Sequence, residues 1–447
     1  MQVEQVTADG LRREFKVTVP AGEIEERVRT RLERLARTIR VPGFRPGKAP
    51  LPLLKKQYGR SVLGEVIEEA VDEGSKRTIG EHQLRPALRP KVELTAFDEG
   101  KDLEFEVKLE VLPEIPEVDL SQISLTRLVA EPPADGVARA IDAFAQSRQR
   151  FEPPTEPRPA AAGDQLVIDF EGRIDGAPFE GGSAKGVPLR LGSGVMVPGF
   201  EDQLVGAMPG EVREIGVSFP ERYGRADVAG KPAQFTVTVH EVKAPVPLEI
   251  DDAWAQGLGF EDLAEVRATF EKRLRDEYAG LSRARLKRAL LDRLAADYRF
   301  EVPQGMVELE FDAIWKQLEE ELRRGGTSAE DEGKSEEELK AEYRAIAERR
   351  VRLGLILSDI GVRNEVKVES EELQQAVMRE AMRFPGQERK VFDYLKGNAA
   401  ALEQIRAPLF EDKVCDFIFE RAAVTEQTVP VEELTRDPDE TAATPAG

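Results

Sequence analysis

The residues Val41-Pro42-Gly43-Phe44-Arg45-Pro46-Gly47-Lys48-Ala49-Pro50 place one aromatic ring and two cations in a stretch that cannot be helical. Its three prolines and two glycines force a tight turn, which leaves Phe44, Arg45 and Lys48 at the tip. Such a trio binds rather than reacts, because cations hold anions and the ring supplies apolar area. From Arg27 to Arg60, eleven Lys and Arg face one acid, Glu33, a local balance of +10 in a chain of net charge −21. Everything outside that stretch therefore sums to −31. A strongly acidic protein with one cationic finger is suited to touch an anionic partner with the finger alone. Nucleic acid is the commonest such partner, and salt would weaken the contact. The run is not a phosphate-binding P-loop. It has three residues between Gly43 and Gly47 where four are needed, and Ala49 stands where Ser or Thr must reach magnesium. An ordinary turn carrying a solvated charge run is the plain alternative.

Other chemistries find little support. A single cysteine, Cys415, excludes an internal disulfide and a multi-cysteine metal site. The two histidines, His82 and His240, have no nucleophile or metal partner near them in sequence, and His82 reads as a surface or capping residue. Gly192-Ser193-Gly194 is not a dinucleotide fingerprint, since Val197 occupies the third glycine position. No cofactor and no metal are expected. No run of 18 apolar residues occurs, so neither a membrane span nor a membrane partner is expected. Met1-Gln2-Val3-Glu4-Gln5 lacks the basic and apolar regions of a secretory signal, and a cytoplasmic location is the expectation.

The tip needs helices to present it. Ile24, Val28, Leu32, Leu35 and Ile39 form one apolar stripe before it, and Leu54, Tyr58, Val62, Val66, Ala70 and Val71 form another after it. Phe15, Val17 and Val19, and then Leu103, Phe105, Val107, Leu109 and Val111, alternate with polar residues as half-buried strands do. Residues 1–112 therefore read as an α+β domain from whose sheet a helical hairpin projects. Gly43-Phe44-Arg45-Pro46-Gly47-Lys48-Ala49-Pro50 resembles the Gly-Phe-Arg-x-Gly-Lys-x-Pro signature of bacterial trigger factor, a chaperone family that docks beside the ribosomal exit tunnel. The likeness in length and domain order covers essentially the whole chain. It implies that Gly43, Phe44, Arg45, Gly47 and Lys48 bind the ribosome, through a ribosomal protein and adjacent ribosomal RNA. The family often has a second basic residue where this chain has Pro46, which shifts part of the charge contact onto Arg40 or Lys48.

Residues 113–162 read as a stiff, proline-rich linker with one helix from Ala134 to Phe151. Residues 163–243 have another texture. Gln165 to Phe170 reads as a strand, Asp175-Gly176 as a hairpin turn, and Phe235, Val237 and Val239 as a closing strand. Val197-Pro198-Gly199-Phe200-Glu201 after a Leu-Gly turn, with Phe179-Glu180-Gly181-Gly182, is similar to the FK506-binding-protein type of peptidyl-prolyl isomerase, an antiparallel sheet wrapped on a short helix. That resemblance implies a cleft lined by Phe170, Phe179, Val187, Met196, Val197, Phe200, Tyr223 and Phe235. Phe200 stands where many relatives have Trp, Glu180 replaces the commoner Asp, and Tyr223 would donate its hydroxyl to a substrate carbonyl. Val187 falls where a bulkier aromatic is frequent, which weighs against macrolide binding more than against catalysis. The reaction needs no acid or base. Rotation about the prolyl amide is opposed by roughly 18–20 kcal/mol of resonance, and a dry cleft favours the twisted amide, whose charge separation is smaller. The plain reading is that these residues are simply the core of a small β domain.

From residue 244 to 427 the pattern is helical, with stripes such as Leu263, Val266, Phe270 and Leu274, and no catalytic cluster. The stripes suit either a closed bundle or an open apolar cradle, and periodicity does not separate the two. By resemblance this is trigger factor's all-α C-terminal domain with arm-like projections, which binds nascent and unfolded polypeptides. Residues 428–447 read as a disordered acidic tail. The fold class expected is multidomain α+β: the α+β domain with its hairpin, the antiparallel β domain, and the all-α domain. The expected function is an ATP-independent, ribosome-associated chaperone that also isomerises X-Pro bonds. A stand-alone isomerase with scaffolding flanks and a nucleic-acid-binding regulator are the alternatives. Whether the free protein forms a homodimer stays open.

Overall fold

The computed structural model describes residues 1–39, 44, 50–97, 100–221, 223, 225, 228–323 and 334–436. The chain divides into two compact units built from separated segments. Residues 1–125, 288–318 and 333–423 make one, and residues 126–287, 319–332 and 424–447 make the other. The helical region expected as one domain over 244–427 is thus shared between them, with divisions falling inside the helices Leu263–Asp297 and Gln304–Arg323.

In the first unit, strands β1 (Gln2–Asp9) and β2 (Arg12–Val19) precede helices α1 (Ala21–Thr38) and α2 (Leu51–Glu81), and strands β3 (Lys91–Ala96) and β4 (Leu103–Glu110) follow. The strands pair antiparallel in the order β1-β2-β4-β3. Phe15, Val17 and Val19 lie opposite Val107, Phe105 and Leu103, all fully buried, so the period-2 pattern does place one sheet face inward. Ile24, Val28, Leu32 and Ala36 of α1 and Leu54, Val62, Val66 and Ala70 of α2 close over that face. A side chain at Gly74 would come within 2.7 Å of the Phe105 ring, so α2 can lie this close only with glycine there. Strands β1 and β3 escape sequence reading because they are edge strands with mostly exposed side chains. His82 caps the C-terminus of α2, its amide donating to the Thr78 and Gly80 carbonyls and its ring lying 4.7 Å from Phe15.

The proline-rich segment is more structured than a spacer. It contains β5 (Ser124–Val129), α3 (Ala134–Ser147) and β6 (Phe151–Glu152). The helix ends at Ser147 rather than Phe151, because Phe151 and Glu152 pair with a later strand instead. Strands β7 (Gln165–Ile174), β8 (Ala177–Arg190), β9 (Val212–Ser218) and β10 (Pro232–Pro245) complete a five-stranded sheet with β6. Central β7 lies between β8 and β10, and a short 3-10 turn, Asp202–Leu204, packs Leu204 and Phe200 onto the sheet with Leu166, Ile168, Val237 and Val239. Asp175 and Gly176 turn β7 into β8 with φ of 51° and 81°, the left-handed pair that a two-residue hairpin requires.

Helices α4 (Asp252–Gly257), α5 (Leu263–Asp297), α6 (Gln304–Arg323), α7 (Glu336–Arg363), α8 (Ser370–Ala381), α9 (Glu388–Gly397) and α10 (Ala399–Phe419) follow. The start of α5 packs with α4 and α3 through Val266, Ala255 and Ile141. Helices α6 and α7 share a core of Val307, Phe311, Ala347, Val351 and Leu355, which Leu112 and Ile115 join from the end of the N-terminal domain. Ser335 and Glu338 form a capping box that starts α7, and the Gly361 backbone receives the Phe410 ring of α10. The last described elements are β11 (Ala423–Thr428), which pairs with β5, and α11 (Val431–Thr435). Disorder from 428 onward is therefore corrected for residues 428–436. Val429 and Leu434 are buried there, an apolar pair too sparse to stand out among the acids. Residues 437–447 lie outside the described residues.

Candidate functional site

The apolar residues carried by β7, β8, β10 and the loop after β8 converge on one patch. Phe170 lies opposite Val237 across the β7–β10 ladder, and Phe235 lies opposite Gly172. Phe200 is fully buried beneath them, with ring centroids 5.3 Å from Phe235 and 6.2 Å from Phe170, both edge-on. Phe179 of β8 meets Phe235 at 6.1 Å. Val187, Met196 and Val197 are half-buried against the same cluster. Edge-to-face rings fix one another's orientation, so the floor is rigid as well as apolar.

Tyr223 joins through a residue that sequence reasoning left out. Phe219, at the end of β9, contacts Tyr223 at 4.8 Å and Phe179 at 5.9 Å. It is buried, whereas Tyr223 is 41% exposed, so the phenol sits at the rim with its ring held from below. The signal was present in Phe219-Pro220-Glu221-Arg222-Tyr223, where Phe219 precedes the tyrosine by four residues. Glu180 contributes differently from its neighbours. Its carboxylate is exposed, and its backbone carbonyl accepts a hydrogen bond from Arg225.

Glu201 was likewise not singled out, yet it builds the loop that carries Met196 and Val197. Only 7% exposed, it accepts hydrogen bonds from the Gly194 amide (3.1 Å), the Met196 amide (3.2 Å) and the Ser193 hydroxyl (3.0 Å). Burial alone would raise its pKa, but these donors outweigh burial and hold the carboxyl below the ordinary range. A second buried acid, Asp164, receives both Nη atoms of Arg158 at 2.7 and 2.8 Å and pins the entry to β7. The patch holds no paired acid and base, and among the described residues no group of three or more His, Cys, Asp or Glu is placed to hold a metal. An apolar, rigid patch of this kind is suited to excluding water from an amide placed on it.

The segment carrying this patch, residues 156–240, matches the FKBP-type peptidyl-prolyl cis-trans isomerase family. Residues 1–144 match the bacterial trigger factor family, and residues 262–420 match the C-terminus of the same family. The trigger factor of Rhodospirillum centenum is 52% identical over 440 residues, covering 98% of both chains. The chain belongs to the trigger factor family. The trigger factor of Paramagnetospirillum magneticum is 48% identical, covering 99% of this chain and 96% of its own. A solved structure of a trigger factor chaperone superposes with a TM-score of 0.53 at 20% identity, covering 94% of this chain and 99% of its own, and so shares the fold.

Membership in the trigger factor family with an FKBP-type domain makes this a ribosome-associated chaperone with peptidyl-prolyl isomerase activity, acting on nascent polypeptides. The stand-alone isomerase is not favoured, because trigger factor matches flank the isomerase on both sides. No described helix is long and apolar enough to cross a membrane.

At the other candidate site, Phe44 is 42% exposed, while Gly43, Arg45, Gly47 and Lys48 lie outside the described residues. The charge behind the tip is redistributed by folding. Arg27 pairs with Glu23 and Glu73, Arg29 with Glu26, and Arg31 with Glu65, all acids outside the cationic stretch. Arg34, Arg37, Lys56 and Arg60 have no such partner among the described residues, so the excess positive charge lies toward the tip end of the hairpin.

Proposed function

We propose that the tip at residues 43–48 docks this chain on a ribosomal protein and the adjacent ribosomal RNA, and that the isomerase cleft is Phe170, Phe179, Glu180, Val187, Met196, Val197, Phe200, Tyr223 and Phe235. The observation that carries the docking reading is Phe44, a large ring left 42% exposed at the end of a hairpin whose unpaired cations cluster there. An exposed aromatic ring on the same hairpin as cations that lack a described acidic partner is the combination that a mixed protein and RNA surface would bury. Replacing Phe44, Arg45 and Lys48 together by Ala abolishes co-sedimentation with ribosomes and leaves isomerase turnover unchanged. Binding that survives the triple substitution overturns the docking assignment.

Unfolded client segments are assigned to the α8–α10 region. Met378, Met382, Phe384 and Tyr394 are exposed there, beside a cleft of about 510 Å³ lined by Ala376, Leu395, Ile405 and Leu409 together with Arg379, Arg383 and Asp412. Methionine adapts to differently shaped partners, which suits a surface that must hold many sequences weakly. The same residues would be sheltered by a second copy in the free protein, which sedimentation velocity checks. A cytoplasmic location follows from work on nascent chains.

A further inference from the structure

We propose that Asp169 is a positioning residue of the isomerase cleft, tying together two β-bulges that flank the central strand β7. The inference rests on the cleft assignment above.

The two bulges lie on either side of the same stretch of β7. Along β8, Ile168 pairs with Val187 but Phe170 pairs with Ala184, so Lys185 and Gly186 together stand opposite Asp169. Along β10, Val239 pairs with Ile168 but Glu241 pairs with Val167, which leaves His240 as the extra residue. A bulge removes a ladder hydrogen bond and leaves a backbone group in need of a partner. Asp169 supplies that partner on the β8 side and holds the side chain of the extra residue on the β10 side. Its Oδ1 accepts the Gly186 amide at 2.7 Å, and its Oδ2 lies 3.0 Å from His240 Nε2. Gly186 has φ of +63°, a conformation that side-chain-bearing residues rarely adopt and glycine adopts freely, so that amide is aimed by a turn that glycine permits. The Gly186 amide first, and His240 second, hold the Asp169 carboxyl below its ordinary pKa, consistent with a carboxylate engaged from both sides.

These contacts set the walls of the cleft. Val187 follows Gly186 directly and packs against the aromatic cluster, and Phe170 follows Asp169 and meets both Phe200 and Phe235. Side chains alternate across a strand, so Asp169 faces away from the cleft and does not touch the substrate. Exposed ion pairs contribute little to stability, and Asp169 matters instead because it fixes where two strands deviate. Sliding the β8 bulge by one residue would turn Val187 out of the cleft wall.

The test uses the full chain and a panel of peptides whose residue before proline runs from Ala to Phe. Asp169→Ala raises KM and flattens selectivity across the panel, lowering kcat/KM on the order of ten-fold for the best substrate. Asp169→Asn keeps an oxygen for the Gly186 amide and restores KM close to wild type. His240→Ala gives a smaller KM rise, and His240→Gln, which retains a donor, reverses it. Wild-type KM and selectivity in Asp169→Ala overturn the proposal. Should Asp169→Ala fail to fold, the His240 pair decides, and identical KM in His240→Ala and His240→Gln overturns it equally. Phe170→Ala is measured alongside: if it leaves turnover intact, the cleft assignment falls and this inference with it. If Phe170→Ala removes turnover while the Asp169 and His240 variants match wild type, only this inference falls.

Discussion

The Phe235 ring occupies the space that a side chain on Gly172 would need, directly across the β7–β10 ladder. Gly172 therefore positions Phe235, a residue of the proposed cleft. Gly182 stands in the same relation to Phe179, whose ring lies 2.8 Å from where a Cβ would be. Gly172→Ala forces Phe235 off Phe200 and Phe170 at an overpacking cost of about 1–3 kcal/mol. Proline-limited refolding of a client slows in this variant, while suppression of aggregation of a proline-free client is unchanged. Equal loss of both activities would argue against separate sites.

Tyr223→Phe separates the rim from the floor. The ring stays against Phe219, and only the hydroxyl is lost. If that hydroxyl holds the substrate carbonyl, one hydrogen bond of about 1 kcal/mol disappears, lowering kcat/KM roughly five-fold with no change in Tm. Phe200→Ala is a blunter probe, because Phe200 is fully buried and its truncation opens a cavity costing about 3–5 kcal/mol.

The Glu201 loop makes the isomerase domain acid-sensitive in a defined direction. Its folded pKa is depressed, so its contribution is complete above the unfolded value of about 4.3 and is lost as pH falls through the folded value. Glu201→Gln loses about 1.5–3 kcal/mol at neutral pH, because neutral acceptors replace charged ones for the Gly194 and Met196 amides. Thermal melts from pH 7 to pH 3 show the gap between wild type and variant closing on the acid side. A gap that stays constant with pH assigns the loss to packing instead.

Met382 and Phe384 are 64% and 48% exposed, so changing them to Ser costs little stability. Suppression of aggregation of a proline-free client falls in the double variant, while Tm and isomerase turnover hold. Unaltered suppression relocates the client surface away from α8 and α9.

Much of this protein could be read along the chain, because helix and strand periodicities and the proline-glycine punctuation of the tip are local properties. The Phe15 and Leu103 strands and the two hairpin helices follow from spacings of two to four residues, whereas the aromatic residues of the proposed cleft were implied by a family resemblance. The net charge and the tip composition likewise need no coordinates. What folding decided is which distant groups meet. Glu73 neutralises Arg27 across 46 residues, Phe219 bridges Tyr223 to Phe179, and residues 423–428 pair with a strand some 300 positions earlier. Asp169 finds its two partners only because bulges shift the register of both neighbouring strands. Register and helix approach depend on packing summed over the whole core, and no window of sequence contains that sum.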